Sequence, residues 1–274
     1  VEPFLKEFLR LTPTPLPRKD SVNGELVDPC SEQFSGFVFK IQANMNKNHR
    51  DRIAFLRICS GKFERGMEAF HVQEGKNIKL ATGTSLMADD RAIVSEAYAG
   101  DIIGLFDPGV FSIGDTLCTG KKHVQFAGIP TFAPEHFARV TQVDTMKRKQ
   151  FVKGMEQIAQ EGAIQIFKEL GGGMEEVIVG VVGVLQFEVL EYRLKNEYNV
   201  ELYMEGLPYE YLRWIETDDG EPVKEEDLIL GTDVKLVEDY KGNQLLLFGS
   251  QWAIGWTEER NKNLTFHEFG GTKF

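Results

Sequence analysis

The segment between residues 49 and 72 restricts the fold of this chain more than any other stretch. An apolar run at residues 53–59 is rich in β-branched and aromatic residues and ends at Ser60-Gly61. A charged loop then separates it from a second apolar segment at residues 67–72. Such runs, bounded by glycine turns, are typical of buried strands. The segment therefore predicts two neighbouring strands joined by a short loop.

Short strands and turns continue from residue 32 to residue 126. The longest candidate, residues 34–45, is predicted to place Phe37, Phe39 and Ile41 on one face and Val38 on the other. Several short strands at this spacing predict a closed antiparallel β-barrel.

The order of elements changes after a proline-bearing segment at residues 128–134. The order β-α-β-β-α-β is predicted there, which gives an open sheet with helices on one face, the ferredoxin-like arrangement. Trp252 and Trp256 favour a last helix, and residues 264–269 a last strand. The strands are predicted at residues 139–143, 163–167, 177–182, 199–204 and 210–215, and the helices at 146–160 and 185–198.

Prolines also end an amphipathic segment at the start of the chain. Pro13, Pro15 and Pro17 each fix φ and lack a backbone donor, so a helix cannot continue through them. We therefore predict a helix and linker at residues 1–25, a β-barrel at 26–128 and an α+β domain at 129–274.

The acidic residues are distributed unevenly. Residues 1–25 and 26–128 each contain equal numbers of acidic and basic residues, so the whole net charge of −11 lies in residues 129–274. A balanced first half is compatible with a local basic patch that binds phosphate.

Motifs for catalysis were not found. A phosphate-binding loop requires Gly-x-x-x-x-Gly-Lys-[Ser/Thr], but Leu56 and Phe63 replace the first glycine and the hydroxyl around Gly61-Lys62. The guanine-reading Asn-Lys-x-Asp is also missing, and the histidines and three cysteines lack the spacing of a zinc site. We expect no catalysis, no cofactor and no metal in this chain.

Several motifs follow one another along the chain: Arg-Ile-Ala-Phe-Leu-Arg-Ile-Cys-Ser-Gly at residues 52–61, Ala-Gly-Asp-Ile-Ile-Gly at 99–104, Ile-Gly-Asp-Thr-Leu at 113–117, Gly-Val-Val-Gly-Val-Leu-Gln-Phe-Glu at 180–188 and Asn-Leu-Thr-Phe at 263–266. Together they resemble the peptide chain release factor 3 family of translational GTPases. The resemblance covers nearly the whole chain. The closing residues of the chain favour this family over elongation factor G, which would continue for two more domains.

The resemblance implies a fragment made of an elongation factor Tu-type antiparallel β-barrel and a ferredoxin-like α+β domain, without the GTPase domain. It implies a cytoplasmic parent protein that is a ribosome-dependent GTPase, with GTP or GDP and magnesium in the missing domain. The implied partners are the rRNA and protein of the small ribosomal subunit, the parent's own GTPase domain and, indirectly, the stop-codon-reading release factors. No membrane partner is expected.

Two alternatives remain open at the level of sequence. One is a fragment of an elongation factor G-like or ribosome-protection GTPase. The other, from a different class, is a stand-alone β-barrel adaptor that binds a protein and never binds a nucleotide.

Two basic clusters are candidate ribosome contacts, because Lys and Arg bind RNA phosphates through charge. Their alternative is an ordinary solvated surface, and Arg50 and Arg52 could instead form barrel-internal pairs with Asp51 or Asp101. The first cluster is Lys47, His49, Arg50, Arg52, Lys62 and Arg65, and the second is Lys147, Arg148 and Lys149.

Overall fold

The computed structural model describes residues 1–43, 52–80, 83–87, 90–129, 132–170, 172–173, 176–217, 220–240 and 242–268. The chain divides into two compact units, Val1–Ile129 and Pro130–Lys273, and each contains its own eight-stranded antiparallel sheet. Within the described ranges, no helix is both long and apolar enough to cross a membrane.

The first unit begins with helix α1 (Glu2–Leu11) and continues almost entirely as strands. The main sheet has the order β7-β6-β12-β3-β4-β11-β8-β9, and β1-β2 and β5-β10 form two small ladders. The strands are β1 (Arg18–Lys19), β2 (Leu26–Val27), β3 (Ser35–Ala43), β4 (Arg52–Ser60), β5 (Lys62–Glu64), β6 (Glu68–His71), β7 (Lys76–Lys79), β8 (Gly83–Met87), β9 (Asp90–Val94), β10 (Glu96–Tyr98), β11 (Ile102–Phe106) and β12 (Thr116–Cys118).

This arrangement confirms the antiparallel barrel-type domain. Inward side chains from β3, β4, β6, β11 and β12 meet in one buried core. The two ends of the main sheet, β7 and β9, are not joined by a ladder among the described residues. Among the described residues the main sheet is therefore a partly open barrel, without pairing between β7 and β9.

A β-bulge in β3 changes the predicted face of one residue. The register of β3 against β4 shifts between Val38 and Lys40, and an extra residue reverses the alternation of side chains beyond it. Val38 and Ile41 therefore share the main core, whereas Phe37 packs in a separate cluster with Cys59 and Phe126. The prediction that Ile41 lies on the same face as Phe37 was wrong for this reason.

The second unit confirms the β-α-β-β-α-β order and extends it. The sheet order is β16-β13-β15-β14-β18-β19-β17-β20, and its first four strands have the ferredoxin-like arrangement. The elements are β13 (His136–Gln142), α2 (Arg148–Gln160), β14 (Gln165–Lys168), β15 (Glu176–Val181), α3 (Leu185–Tyr198), β16 (Leu202–Leu207), β17 (Tyr211–Thr217), β18 (Val234–Asp239), β19 (Gln244–Phe248), α4 (Gln251–Arg260) and β20 (Leu264–His267).

Two residue pairs, Phe167↔Asp239 and Lys168↔Glu238, join β14 to β18. Through this short ladder the ferredoxin-like half continues into four further strands. Helices α2 and α3 cover the first half, and α4 packs on the second. The last strand ends at His267 in the structure, and residues 269–274 lie outside the described ranges.

Helices α2 and α3 approach closely at Gly154. A Cβ atom at this position would lie 2.6 Å from Leu194 Cδ2 and 3.0 Å from Tyr198 Cγ. Only glycine permits this separation of the two helices without a shift, since real Cβ atoms are not found so close to a neighbour.

Candidate nucleic-acid interface

The first basic cluster is not one surface. Lys47, His49 and Arg50 lie outside the described residues. Arg52 begins β4, and its side chain points into the barrel, where it is 7% exposed. Its Nε lies 2.6 Å from Asp107 Oδ2, and its Nη2 donates to the carbonyl oxygen of Phe111 at 2.7 Å. Arg52 is therefore a core residue and is removed from the candidate RNA contacts.

Asp107 is the partner that sequence reasoning missed, because it follows β11 and is remote from Arg52 in sequence. Its Oδ1 accepts hydrogen bonds from the backbone N–H groups of Gly109, Val110 and Phe111 at 2.8, 2.7 and 3.2 Å. The backbone N–H of Asp107 donates to the carbonyl oxygen of Arg52 at 2.8 Å. The ion pair therefore connects the start of β4 to the loop after β11.

Lys62 is on the surface, but two carboxylates already surround it. Its Nζ lies 2.9 Å from Glu64 Oε1 and 3.1 Å from Glu96 Oε2, and 5.8 Å from the centre of the Tyr98 ring. Hydrogen bonds to Glu64 and then Glu96 raise the pKa of Lys62 above its usual range. Because two acidic groups accompany one cation, this site attracts phosphate less strongly than the sequence alone suggests.

Arg65 is exposed in the turn between β5 and β6. Its backbone N–H donates to the carbonyl oxygen of Ser95 at 2.9 Å, which fixes the turn. Among the described residues, the Arg65 side chain has no ion pair. It remains the one candidate of the first cluster that the described structure leaves both exposed and unneutralised.

The second cluster lies at the start of α2. Residues Thr145–Lys147 form a short 3₁₀ turn, and Asp144 Oδ1 caps it by accepting the backbone N–H of Met146 at 2.9 Å. Arg148 and Lys149 are exposed, and Lys147 is half-buried. The first turn of α2 contains no acidic residue. Cations at a helix N-terminus oppose the helix dipole by ~0.3–1 kcal/mol, so this cluster does not stabilise its own helix.

Two neighbours belong to the same surface and were missed. Lys153 is exposed one turn after Lys149, and their i, i+4 spacing places both on one helix face. This spacing is visible in the sequence and could have been used. Met146 is 91% exposed beside the cations. We call Met146, Lys147, Arg148, Lys149 and Lys153 the α2 basic surface.

The α2 basic surface can bind a polyanion through charge and contact a base or sugar through the Met146 side chain. Phosphate contacts of this kind position a protein on RNA without reading sequence. Among the described residues, no group of three or more His, Cys, Asp or Glu side chains could hold a metal ion.

Comparison with protein-family models gives two matches in chain order. Residues 33–120 match elongation factor G domain 2, and residues 126–258 match the class II release factor RF3, C-terminal domain.

Curated relatives match across nearly the whole chain. Peptide chain release factor 3 of Symbiobacterium thermophilum is 52% identical over 97% of this chain and 49% of the relative. The corresponding proteins of Listeria welshimeri and Gloeobacter violaceus are 47% and 44% identical, over 96% and 98% of this chain and 49% and 50% of their own lengths. The chain therefore spans about half the length of the curated relatives it matches.

The fold is also found in a solved structure from Thermus thermophilus. That protein is 18% identical, with a TM-score of 0.57, over 87% of this chain and 34% of its own. At this identity the likeness concerns the fold alone.

Proposed function

Because this chain belongs to the peptide chain release factor 3 family, we propose that it is the ribosome-binding, nucleotide-free part of a translation termination factor. The observation that carries the proposal is the order of the two matched domains together with identity to release factor 3 across 97% of the chain. The RF3-type C-terminal domain at residues 126–258 favours this family over an elongation factor G-like or ribosome-protection fragment.

The proposed parent protein is a cytoplasmic, ribosome-dependent GTPase whose GTP or GDP and magnesium are bound by the part of the protein not represented here. Its proposed role is to promote the departure of stop-codon-reading release factors from the terminating ribosome. The present units would rest on the rRNA and protein of the small subunit and transmit the rearrangement of the GTPase domain.

Within these units we assign the RNA contact to the α2 basic surface and to Arg65. The support is electrostatic. Residues 129–274 carry the whole net charge of −11, and yet the α2 basic surface places four cations in sequence proximity at a helix start that contains no acidic residue in its first turn. Lys62 is a weaker candidate because Glu64 and Glu96 neutralise it.

Co-sedimentation of the chain with small ribosomal subunits over a KCl series tests this assignment. The double variant Lys147→Glu, Arg148→Glu should bind more weakly, and the slope of log K against log salt should fall by roughly one unit per lost phosphate contact. The matched control is Lys224→Glu, Lys262→Glu, which makes the same change of net charge at exposed positions of the same unit.

Equal weakening by both double variants would assign the effect to net charge and exclude the α2 basic surface. Unchanged binding of the first variant at every salt concentration would exclude it as well. Circular dichroism of each variant verifies that the fold is retained, as expected for exposed charges.

A further inference from the structure

A cavity of about 390 Å³ opens in the first unit between β7 and the segment that follows β11. Leu80, Leu105 and Phe111 are its buried members and belong to the main core. Ile78 is half-buried and Phe106 is 62% exposed. The cavity therefore leads from solvent to the apolar interior of the barrel, and its volume lies within the range of ligand pockets.

The loop that forms one side of the cavity is held in place before any ligand arrives. Asp107 accepts the backbone N–H groups of Gly109, Val110 and Phe111, and Arg52 holds its other oxygen. Gly109 has φ of +100°, a conformation that favours glycine. Because these contacts fix the loop, little ordering would be required on binding.

The other side of the cavity is an open sheet edge. Among the described strands, β7 pairs with β6 alone. The N–H of Leu80 donates to the carbonyl oxygen of Met67 at 2.9 Å, so the alternation of an antiparallel ladder directs the N–H and C=O of Asn77 and Lys79 away from β6. Unpaired groups on an edge can accept an additional strand.

A cation stands beside the same edge. Lys79 lines the cavity and is exposed. Within the described part of the chain, its side chain has no ion pair. The cavity therefore suits a large apolar group, and its rim suits an acidic group of the same ligand.

We propose that the cavity and the open edge of β7 form a site for an extended peptide. The peptide adds a strand to β7, inserts one large apolar side chain between Leu80 and Phe111, and places an acidic residue beside Lys79. The site shares no residue with the α2 basic surface, and Arg65 does not line the cavity, so its test does not depend on the RNA contacts proposed above.

Amide NMR of the ¹⁵N-labelled chain tests the site with a defined probe, an acetylated and amidated pentapeptide in which phenylalanine alternates with glutamate. Chemical-shift changes are expected at Asn77, Lys79 and residues 105–107 and 109–111, since Pro108 has no amide N–H. Successive backbone N–H groups of a strand face opposite edges, so a peptide N-methylated at the alternate residues whose N–H groups face β7 loses pairing without losing its side chains. It should not bind.

Two variants separate the contribution of the apolar side chain in the cavity from that of the acidic residue beside Lys79. Val110→Trp fills the cavity and should weaken binding by at least about tenfold, since burial of a large apolar side chain is lost. Lys79→Glu should weaken it by roughly fivefold, the upper range of an exposed ion pair. Val22→Trp, an exposed valine outside the cavity, is the control and should bind like the parent chain. If Val110→Trp does not fold, Phe106→Ala at the exposed rim replaces it, with weaker binding expected.

An unchanged amide spectrum at millimolar peptide would overturn the proposal. Equal binding of the N-methylated peptide would also overturn it, because strand addition would then contribute nothing. A short uridine or adenine oligonucleotide that shifts these amides when the peptide does not would assign the cavity to RNA instead.

Discussion

Arg52 Nε lies 2.6 Å from Asp107 Oδ2, and both side chains are buried inside the first unit. The pair joins the first residue of β4 to the residue after β11, and these two strands are already neighbours in the sheet. A buried charge is tolerated when its partner and hydrogen bonds are present. Arg52 therefore serves the fold of the barrel, although its sequence surroundings are those of a surface cluster.

Arg52→Met should lower the free energy of unfolding of the first unit by about 3–5 kcal/mol, because it leaves the buried Asp107 without its cation. Urea unfolding followed by circular dichroism measures this loss. Arg57→Met on the same strand is the control, since Arg57 is half-buried and has no ion pair among the described residues. Adding Asp107→Asn to Arg52→Met should restore part of the stability. A double variant less stable than the single one would contradict the uncompensated-charge explanation.

Gly154→Ala should destabilise the second unit by up to about 2 kcal/mol in net terms, because overpacking usually costs about 1–3 kcal/mol. The new methyl group would collide with Leu194 and Tyr198 of α3, and this outweighs the gain of ~1 kcal/mol in helix propensity. Gly255→Ala in α4 provides a matched control, because a Cβ there meets no atom within 4 Å. Thermal unfolding should show opposite shifts for the two variants. Stabilisation by both would mean that α2 and α3 separate freely.

The three thiols should react at very different rates at pH 8. Cys30 is exposed, whereas Cys59 and Cys118 are buried. Burial raises the pKa of the Cys59 thiol to about 11 and that of Cys118 above its usual range. Because the thiolate is the reactive form, iodoacetamide should modify one thiol of the folded chain and all three in guanidinium. Mass spectrometry counts the adducts, and Cys30→Ser should give almost none in the folded state.

The raised pKa of Cys59 also predicts how the free energy of unfolding depends on pH. The folded chain holds the Cys59 proton more tightly than the unfolded chain, whose thiol has the ordinary pKa of 9.0. Between about pH 9 and 11 unfolding therefore releases a proton, and the free energy of unfolding falls as pH rises. Cys59→Ala should flatten this dependence. If the free energy of unfolding depended on pH identically in the parent chain and in Cys59→Ala, the assignment of this effect to Cys59 would be refuted.

Thermolysin should cut the chain between its two units. Ile129 and Phe132 are exposed apolar residues in the predicted linker at residues 128–134, and such exposed connecting segments are the preferred sites of limited proteolysis. Mass spectrometry should find two resistant fragments. One resistant core that contains both units would contradict the boundary.

Titration calorimetry should detect no binding of GTP or GDP to this chain, because the phosphate-binding and base-reading motifs are missing from its sequence. Micromolar affinity would contradict the expectation.

Periodicity was sufficient to predict the order of elements, because it depends on local residues. The 3.6-residue pattern of α2 and the apolar run of β15 are both visible without tertiary contacts. The predicted face of Ile41 failed, since the bulge at Val38 depends on the register of β3 against β4. Strands β18 and β19 share a sheet with β14, and this too depends on a long-range pairing.

The candidate site was less predictable for the same reason. Asp107 neutralises Arg52 and Glu96 neutralises Lys62, and each partner is distant in sequence. The count of charges along the sequence therefore overestimated the positive charge that the first cluster offers to RNA. Lys147, Arg148 and Lys149 follow one another in the sequence, so their common position at the start of α2 could be predicted without any distant pairing. Their contact with RNA stays a prediction.

The two-pair ladder between β14 and β18 gives the second unit an uneven mechanical stiffness. β13 and β15 are joined by six residue pairs and β18 and β19 by five, so a load across the sheet would part the two pairs at Phe167 and Lys168 first. One hydrophobic cluster, which includes Phe167 and Val237, spans this joint, and apolar packing is not directional. The two halves therefore hold together through this cluster more than through strand pairing.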